Sequence, residues 1–173
     1  MNNAEAAIEA TITEFTRGLG SELKAAYLFG SFVQGYYQPE ESDINLLLIV
    51  DDDVDFFEIR DYFLPIWEIY GDVLLRAPLI ARESSFDCYK RLEPAFMHHL
   101  RNNGRLLSGS PYYLANLPLL DMQEATARLA TEALKASGIL LPALMKPDKA
   151  QERIKLARRL ARKLWQAPIA EDE

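Results

Sequence analysis

Apolar residues near the start of the chain recur with the spacing of a helix. Four of them lie three or four positions apart: Ile8, Ile12, Phe15 and Leu19. This spacing puts them on one side of a helix and predicts an amphipathic helix over residues 4–17. Gly18 and Gly20 follow and are expected to end it.

Further along the chain, three mostly apolar runs replace the helical spacing, and each of them predicts a strand. The runs cover residues 24–29, 43–50 and 73–81. The second run is typical of a strand in a sheet that helices cover. Between the second and third runs, five residues form one helical stripe: Phe56, Ile59, Phe63, Ile66 and Tyr70. Pro65 interrupts that stripe and is expected to kink or restart the helix.

Helices are predicted for the rest of the chain. Two of them cover residues 84–89 and 94–102, and the second is stopped by Asn103-Gly104. Residues 108–118 are rich in glycine, proline and tyrosine, which is typical of a boundary. Two more helices are predicted beyond that boundary, over residues 121–136 and 148–165.

These elements predict an α/β (α+β) fold: a small mixed sheet of three or more strands, flanked by helices, with a C-terminal helical extension. We expect one domain over residues 1–108 and the extension over residues 118–166.

The end of the first strand carries the first chemical signal. Gly30-Ser31 follows the apolar run and offers a tight turn with no side chain on the glycine. Residues 32–36 are expected to open a short helix after it. Backbone N–H groups at such a turn attract anions, and the Ser31 hydroxyl would be a further donor.

The second strand opens with Asp43-Ile44-Asn45-Leu46. Asp43 and Asn45 are two positions apart, so their side chains lie on one face of an extended chain. Two acids in this arrangement can share magnesium ions that clamp the attacking and leaving oxygens of a phosphoryl transfer. Here the second position is an amide, which supplies an oxygen ligand but no negative charge.

This combination resembles the minimal nucleotidyltransferase family, within the superfamily that includes DNA polymerase beta. That family's pattern is a hydrophobic residue, Gly-Ser, about ten residues, and then two acids that alternate with hydrophobic residues. The resemblance covers residues 4–107 and implies that Gly30 and Ser31 hold the phosphates of ATP or another nucleoside triphosphate. It also implies that Asp43 is catalytic and that Asp43 and Asn45 hold Mg²⁺.

The resemblance further implies a third acid on a later strand, which acts as the base. The expected strand over residues 73–81 has no carboxylate. Asp72 precedes it and serves either as an ordinary turn residue or, if the strand register is shifted, as the base. Lys24 and Arg76 would meet phosphates only if they face the site, and neither is assigned to it.

Three functions stay open. In the first, the protein binds a magnesium nucleoside triphosphate with impaired or absent transfer, as the antitoxin half of a two-gene pair for instance. In the second, it is an active enzyme that transfers a nucleoside monophosphate to a hydroxyl group. In the third, the fold is only an interaction scaffold.

Charge narrows the choice of partners. The 173-residue chain has a formal net charge of −7, which argues against broad nucleic-acid binding. Eight basic and two acidic residues nevertheless lie between Lys146 and Lys163, on the predicted helix 148–165. That helix either docks by its apolar face or binds a partner, such as a protein. A homodimer is also open.

Other features are assigned to structure. The single cysteine, Cys88, excludes an internal disulfide, and no signal segment or membrane span is predicted, so we expect a cytoplasmic protein. His98 and His99 are adjacent on a helix and cannot chelate one metal together. The acids of residues 51–55 are expected to form a turn and a helix cap.

Overall fold

A computed structural model describes residues 3–39 and 42–117, together with four helical positions at Ala127, Ala130, Thr131 and Leu134. The chain divides into two compact units. The first comprises residues 1–92 and 100–117 and contains the sheet; the second comprises residues 93–99 and 118–173. The predicted domain limits stay predictions, and the predicted helix 148–165 lies outside the described residues.

The first unit combines helices with the strands of one sheet. In chain order the elements are α1 (Asn3–Leu19), β1 (Leu23–Phe29), β2 (Asn45–Val50), α2 (Phe56–Tyr70), β3 (Leu79–Arg82), α3 (Glu83–Leu92), α4 (Pro94–Asn103), β4 (Arg105–Gly109) and α5 (Tyr112–Ala115). Of these, α4 is shared with the second unit. The sheet order is β3-β2-β1-β4, in which only β2 and β3 run parallel. This four-stranded mixed sheet confirms the predicted fold class.

Helices α1 and α2 cover one face of the sheet. Alternate residues of β1 and β2 join them in one buried cluster: Ala26, Leu28, Leu46, Leu48 and Val50. The rings of Phe15 and Phe63 stack in it with their centroids 6.4 Å apart. The residues between them on the strands, such as Tyr27 and Ile49, are also fully buried. Both faces are therefore covered, as the apolar run predicted.

Helix α2 differs from its prediction at Pro65. The helix continues through this residue without a restart. Proline removes the hydrogen bond to the carbonyl of Asp61, but Pro65 and Asp61 are both exposed, so water can satisfy that carbonyl. At the N-terminus Asp55 caps the helix by accepting a hydrogen bond from the N–H of Phe57 at 2.9 Å. The capping role predicted for the acids of residues 51–55 is confirmed.

The strand predicted over residues 73–81 is wrong for its first six residues, because β3 begins only at Leu79. The N–H groups of Val73 and Leu74 donate to the carbonyl of Tyr70 at 3.0 and 2.9 Å, which continues the turn after α2. Pro78 then brings no N–H group for a sheet bond. β2 likewise begins at Asn45 instead of residue 43, and β4 is a strand that we had not predicted.

No helix in residues 3–39 and 42–117 combines the length and the apolar character needed to cross a membrane.

The contact between α1 and α2 yields a stability test. Phe15 is fully buried, and its truncation to alanine should leave a cavity and lower the free energy of unfolding by about 3–5 kcal/mol. Phe57, which is 67% exposed on α2, is the matched control. Phe57→Ala should change the free energy of unfolding by less than about 0.5 kcal/mol. Urea denaturation measures both values. Equal effects would show that the Phe15–Phe63 contact does not hold α1 on α2.

Candidate functional site

The chain turns sharply where it leaves β1. Gly30 has φ 85°, a conformation that favours glycine. The N–H of Gln34 donates to the carbonyl of Gly30 at 3.2 Å, and that of Tyr36 to the carbonyl of Ser31 at 3.1 Å. Residues 31–35 therefore form turns and not the short helix that we expected. Ser31 is 6% exposed, so its hydroxyl belongs to the inside of this turn.

Asn45 faces this turn from the neighbouring strand. Phe29 pairs with Asn45 in the antiparallel register. The segment that follows β1 and the segment that precedes β2 therefore lie at the same edge of the sheet. A Cβ atom on Gly30 would lie 3.0 Å from the Asn45 side-chain nitrogen. That nitrogen donates to the backbone carbonyl of Asp43 at 3.2 Å. The register thus brings together the Gly-Ser turn and the segment that begins with Asp43.

The carboxylate of Asp43 is held by the segment between α2 and β3. Its Oδ1 accepts a hydrogen bond from the N–H of Leu75 at 3.0 Å. Its Oδ2 lies 3.6 Å from Nε of Arg76, an ion pair too long for a hydrogen bond. Burial raises the pKa of Asp43, while the Leu75 N–H, the Arg76 guanidinium and the Ile44 N–H act in the opposite direction. The side chain is only 13% exposed.

Two polar atoms in this region are buried without a hydrogen-bond partner among the described residues. They are Oδ2 of Asp43 and the hydroxyl of Tyr37. The Tyr37 ring packs edge-on against Phe32 at 5.3 Å between centroids. Burial raises the pKa of Tyr37, and the negative charges of Asp72 and Asp43 act in the same direction. A buried polar group normally has a partner, so these two atoms mark a candidate site for a ligand.

Asp72 is exposed on the turn after α2 and accepts a hydrogen bond from the side chain of Asn3 at 2.9 Å. This contact supports the turn interpretation, although the Asp72 charge still acts on Tyr37. Lys24 is directed elsewhere. It pairs with Asp51 at 2.7 Å, near the end of β1 that is opposite Gly30.

Sequence reasoning missed two contributors to the site. Arg76 was named but not assigned, because a strand over residues 73–81 gave no reason to choose its side. The parallel pairing of Leu47 with Leu79 brings its segment near Asp43, and this long-range contact leaves no signal in the sequence pattern. Tyr37 carries no such signal, since its position depends on the irregular chain between β1 and β2.

The residues near Asp43 limit what metal the site can hold. Nowhere in the described part of the chain do three or more His, Cys, Asp or Glu side chains form a metal cluster. Magnesium in nucleotide sites often takes one or two protein ligands and completes its shell with water and phosphate oxygens. Asp43 with Asn45 fits one such ion. Of these two residues only Asp43 is a carboxylate, and within the described part of the chain the pair does not fit a two-ion clamp.

Comparison with known proteins assigns the family. The model described as "Polymerase beta, Nucleotidyltransferase" matches residues 11–111, more than half of the chain. A protein of Methanocaldococcus jannaschii that is provisionally named as a protein adenylyltransferase is 34% identical over 103 residues. That match covers 57% of this chain and 96% of the relative. The chain therefore belongs to the polymerase beta nucleotidyltransferase family, and the predicted resemblance is confirmed.

One of two similar solved structures supports the fold. A spectinomycin adenyltransferase of Enterococcus faecialis, solved with ATP and spectinomycin, is similar at a TM-score of 0.56 and 12% identity. The match covers 76% of this chain and 66% of the adenyltransferase. A toxin-antitoxin complex with AMP-PNP is similar at a TM-score of 0.45 and 14% identity, over 84% of this chain and 100% of that one.

The buried hydroxyl of Tyr37 has a measurable consequence for stability. Tyr37→Phe removes a polar group that has no partner, so the free energy of unfolding should rise by about 1 kcal/mol. Tyr89→Phe, on a residue that is 41% exposed, is the matched control and should have little effect. Thermal or urea unfolding without nucleotide measures both. A loss of stability in Tyr37→Phe would show that the hydroxyl has a partner in the folded protein.

The raised pKa of Asp43 predicts a pH dependence. A carboxyl group whose pKa is higher in the folded than in the unfolded protein costs stability once it ionises. Asp43→Asn keeps an acceptor for the Leu75 N–H and should match the wild type at about pH 3. As pH rises through the raised pKa of Asp43, the wild type should become less stable than the variant.

Unfolding free energies between about pH 3 and about pH 7 test this expectation. Asp53→Asn, at an exposed aspartate in the turn after β2, is the control. A constant difference between Asp43→Asn and the wild type across this range would contradict a raised pKa.

Proposed function

We propose that this protein binds a nucleoside triphosphate, ATP in the first instance, at the edge of the sheet where β1 ends and β2 begins. In this proposal Gly30 and Ser31 receive phosphate oxygens, and the carboxylate of Asp43 faces the same ligand. The observation that carries this proposal is the buried Oδ2 of Asp43, which no described residue hydrogen-bonds. Membership of the nucleotidyltransferase family supports a nucleotide as the ligand.

Asp43 and Asn45 are the residues that would hold a magnesium ion in this site. The ion would neutralise phosphate charge, and the oxygens of water and phosphate would complete its shell. Asn45 contributes one oxygen without charge. The protein's own part is to hold Asn45 against the Gly30 turn and to keep the Asp43 side chain largely buried.

Nucleotide transfer is impaired or absent in this proposal. Enzymes promote phosphoryl transfer mainly by positioning and by electrostatic stabilisation, and both need charge near the metal. Asn45 is neutral, and Arg76 next to Asp43 is positive. Of these three residues only Asp43 contributes a negative charge. Asp72 accepts a hydrogen bond from Asn3, which supports its role as a turn residue over that of a base.

Active adenylyl transfer to a protein hydroxyl is the second candidate. The relative that is provisionally named as a protein adenylyltransferase, 34% identical over 103 residues, favours it. In this alternative Asp43 with one metal ion suffices for slow transfer. The two candidates agree on the ligand and differ only in turnover.

An antitoxin role within a two-gene pair stays a prediction from the family resemblance. It requires a protein partner, and the predicted basic helix 148–165 is our candidate for contacting it. Genetic linkage to a small helical ribonuclease, and copurification with it, would support this role. The cytoplasmic location and a homodimer likewise stay predictions.

Calorimetry with ATP and magnesium tests the binding proposal. We expect the wild type to bind and Asp43→Ala to bind at least about tenfold more weakly, because it loses the charged metal ligand. Asp53→Ala is the matched control. A wild type that does not bind nucleotide with magnesium would overturn the proposal.

A transfer assay with labelled ATP separates the two candidates. Asn45→Asp restores one acid and should raise transfer by about tenfold or more, equivalent to about 1.4 kcal/mol of transition-state stabilisation. Asn116→Asp, at an exposed asparagine, is the control and should change nothing. Robust transfer by the wild type that Asn45→Asp leaves unchanged would favour the active enzyme.

A further inference from the structure

The segment that carries Arg76 is held beside Asp43 by two hydrogen bonds of its neighbouring residues. The N–H of Leu75 donates to the Asp43 carboxylate at 3.0 Å, and the N–H of Ile44 donates to the carbonyl of Val73 at 3.3 Å. Residues 73–76 thus continue the parallel contact of β2 and β3 in the direction of the N-terminus. Arg76 therefore starts from a defined backbone position beside Asp43, although its own segment is not a strand.

The guanidinium of Arg76 faces both the carboxylate and the solvent. Its Nε lies 3.6 Å from Oδ2 of Asp43, while the side chain as a whole is 65% exposed. The guanidinium is a planar fork of five N–H donors and suits bidentate contacts with phosphate oxygens. A bound phosphate at this edge would thus find donors that the carboxylate does not occupy.

The positions that correspond to the family's metal-binding acids carry less negative charge in this chain. The family pattern places three carboxylates around its metal ions, and such a cluster repels a triphosphate until the ions are bound. In this chain the three corresponding positions are Asp43, Asn45 and the segment that carries Arg76, and together they have no net charge. At these three positions a polyphosphate therefore meets less negative charge than in the family pattern, while the Asp72 carboxylate remains close enough to act on Tyr37.

We propose that Arg76 binds the phosphates of the nucleoside triphosphate and makes that binding partly independent of divalent metal. This inference rests on the proposed function, because it assigns a residue and a metal requirement to the same site. Arg76 takes over part of the neutralisation that a second metal ion would supply. It is a binding residue in this role and takes part in no bond-making step.

ATP binding measured in excess EDTA and in excess magnesium tests the inference. We expect the wild type to bind in EDTA within about tenfold of its affinity in magnesium. Arg76→Ala should lose about tenfold or more in EDTA and less in magnesium, where the ion shares the neutralisation. Arg76→Lys keeps the charge but not the fork and should fall between the two.

Arg60→Ala is the matched control, since the Arg60 side chain is 62% exposed and pairs with Asp61 on the outside of α2. It should leave both affinities unchanged. Circular dichroism confirms that each variant folds. A purely structural role, in which Arg76 only neutralises Asp43, predicts that Arg76→Ala has no effect on binding once Asp43→Asn is also present. We expect its loss in EDTA to persist in that double variant.

The outcomes separate the two proposals. Binding in magnesium that EDTA abolishes would overturn the role of Arg76 and leave the proposed function intact. The role of Arg76 would also be overturned if Arg76→Ala bound ATP in EDTA as tightly as Arg60→Ala does. A loss of ATP affinity that disappears in the double variant would overturn that role as well. No binding under either condition would overturn the proposed function and this inference with it.

Discussion

The antiparallel pairing of Phe29 with Asn45 is the constraint on which the site depends. Because the two strands are in this register, the Gly30 turn and the Asp43 segment leave the sheet at the same edge. A shift of one residue would turn the Asn45 side chain to the other face and separate it from the turn. Burial of both faces of β1 and β2 makes such a shift costly, so the hydrophobic core holds the site in place.

The site itself opposes stability. A buried carboxylate oxygen and a buried tyrosine hydroxyl without partners each cost free energy, which the core around Phe15 and Phe63 offsets. Groups that bind ligands often have this property, because a partner inside the protein would compete with the ligand. The buried groups that lower the stability of the fold are thus the same groups that would bind a ligand.

Much of the fold could be predicted because its determinants are local. The spacing of Ile8, Phe15 and Leu19 defines α1, and the apolar run after Asn45 defines β2. The Gly-Ser turn and the Asp43 segment could also be predicted, because two short motifs at a known separation can be recognised without knowledge of long-range contacts. The family followed from the same residues.

The remaining features depend on contacts between distant segments. The late start of β3 follows from turn bonds to the Tyr70 carbonyl and from Pro78, which an apolar pattern alone does not reveal. Arg76 reaches the site only through the contact of its segment with Asp43. Tyr37 reaches it through an irregular loop. Periodicity carries no signal for either residue.

The departures from the family pattern lie on two separate chain segments, and this has a consequence for evolution. Asn45 is on β2, while Arg76 precedes β3, some thirty positions later along the chain. Recovery of the full acidic constellation would need a change in each segment, and either change alone leaves a mixed site of intermediate charge. Each change alters the charge of only the segment that carries it, so the two departures can be gained or lost independently.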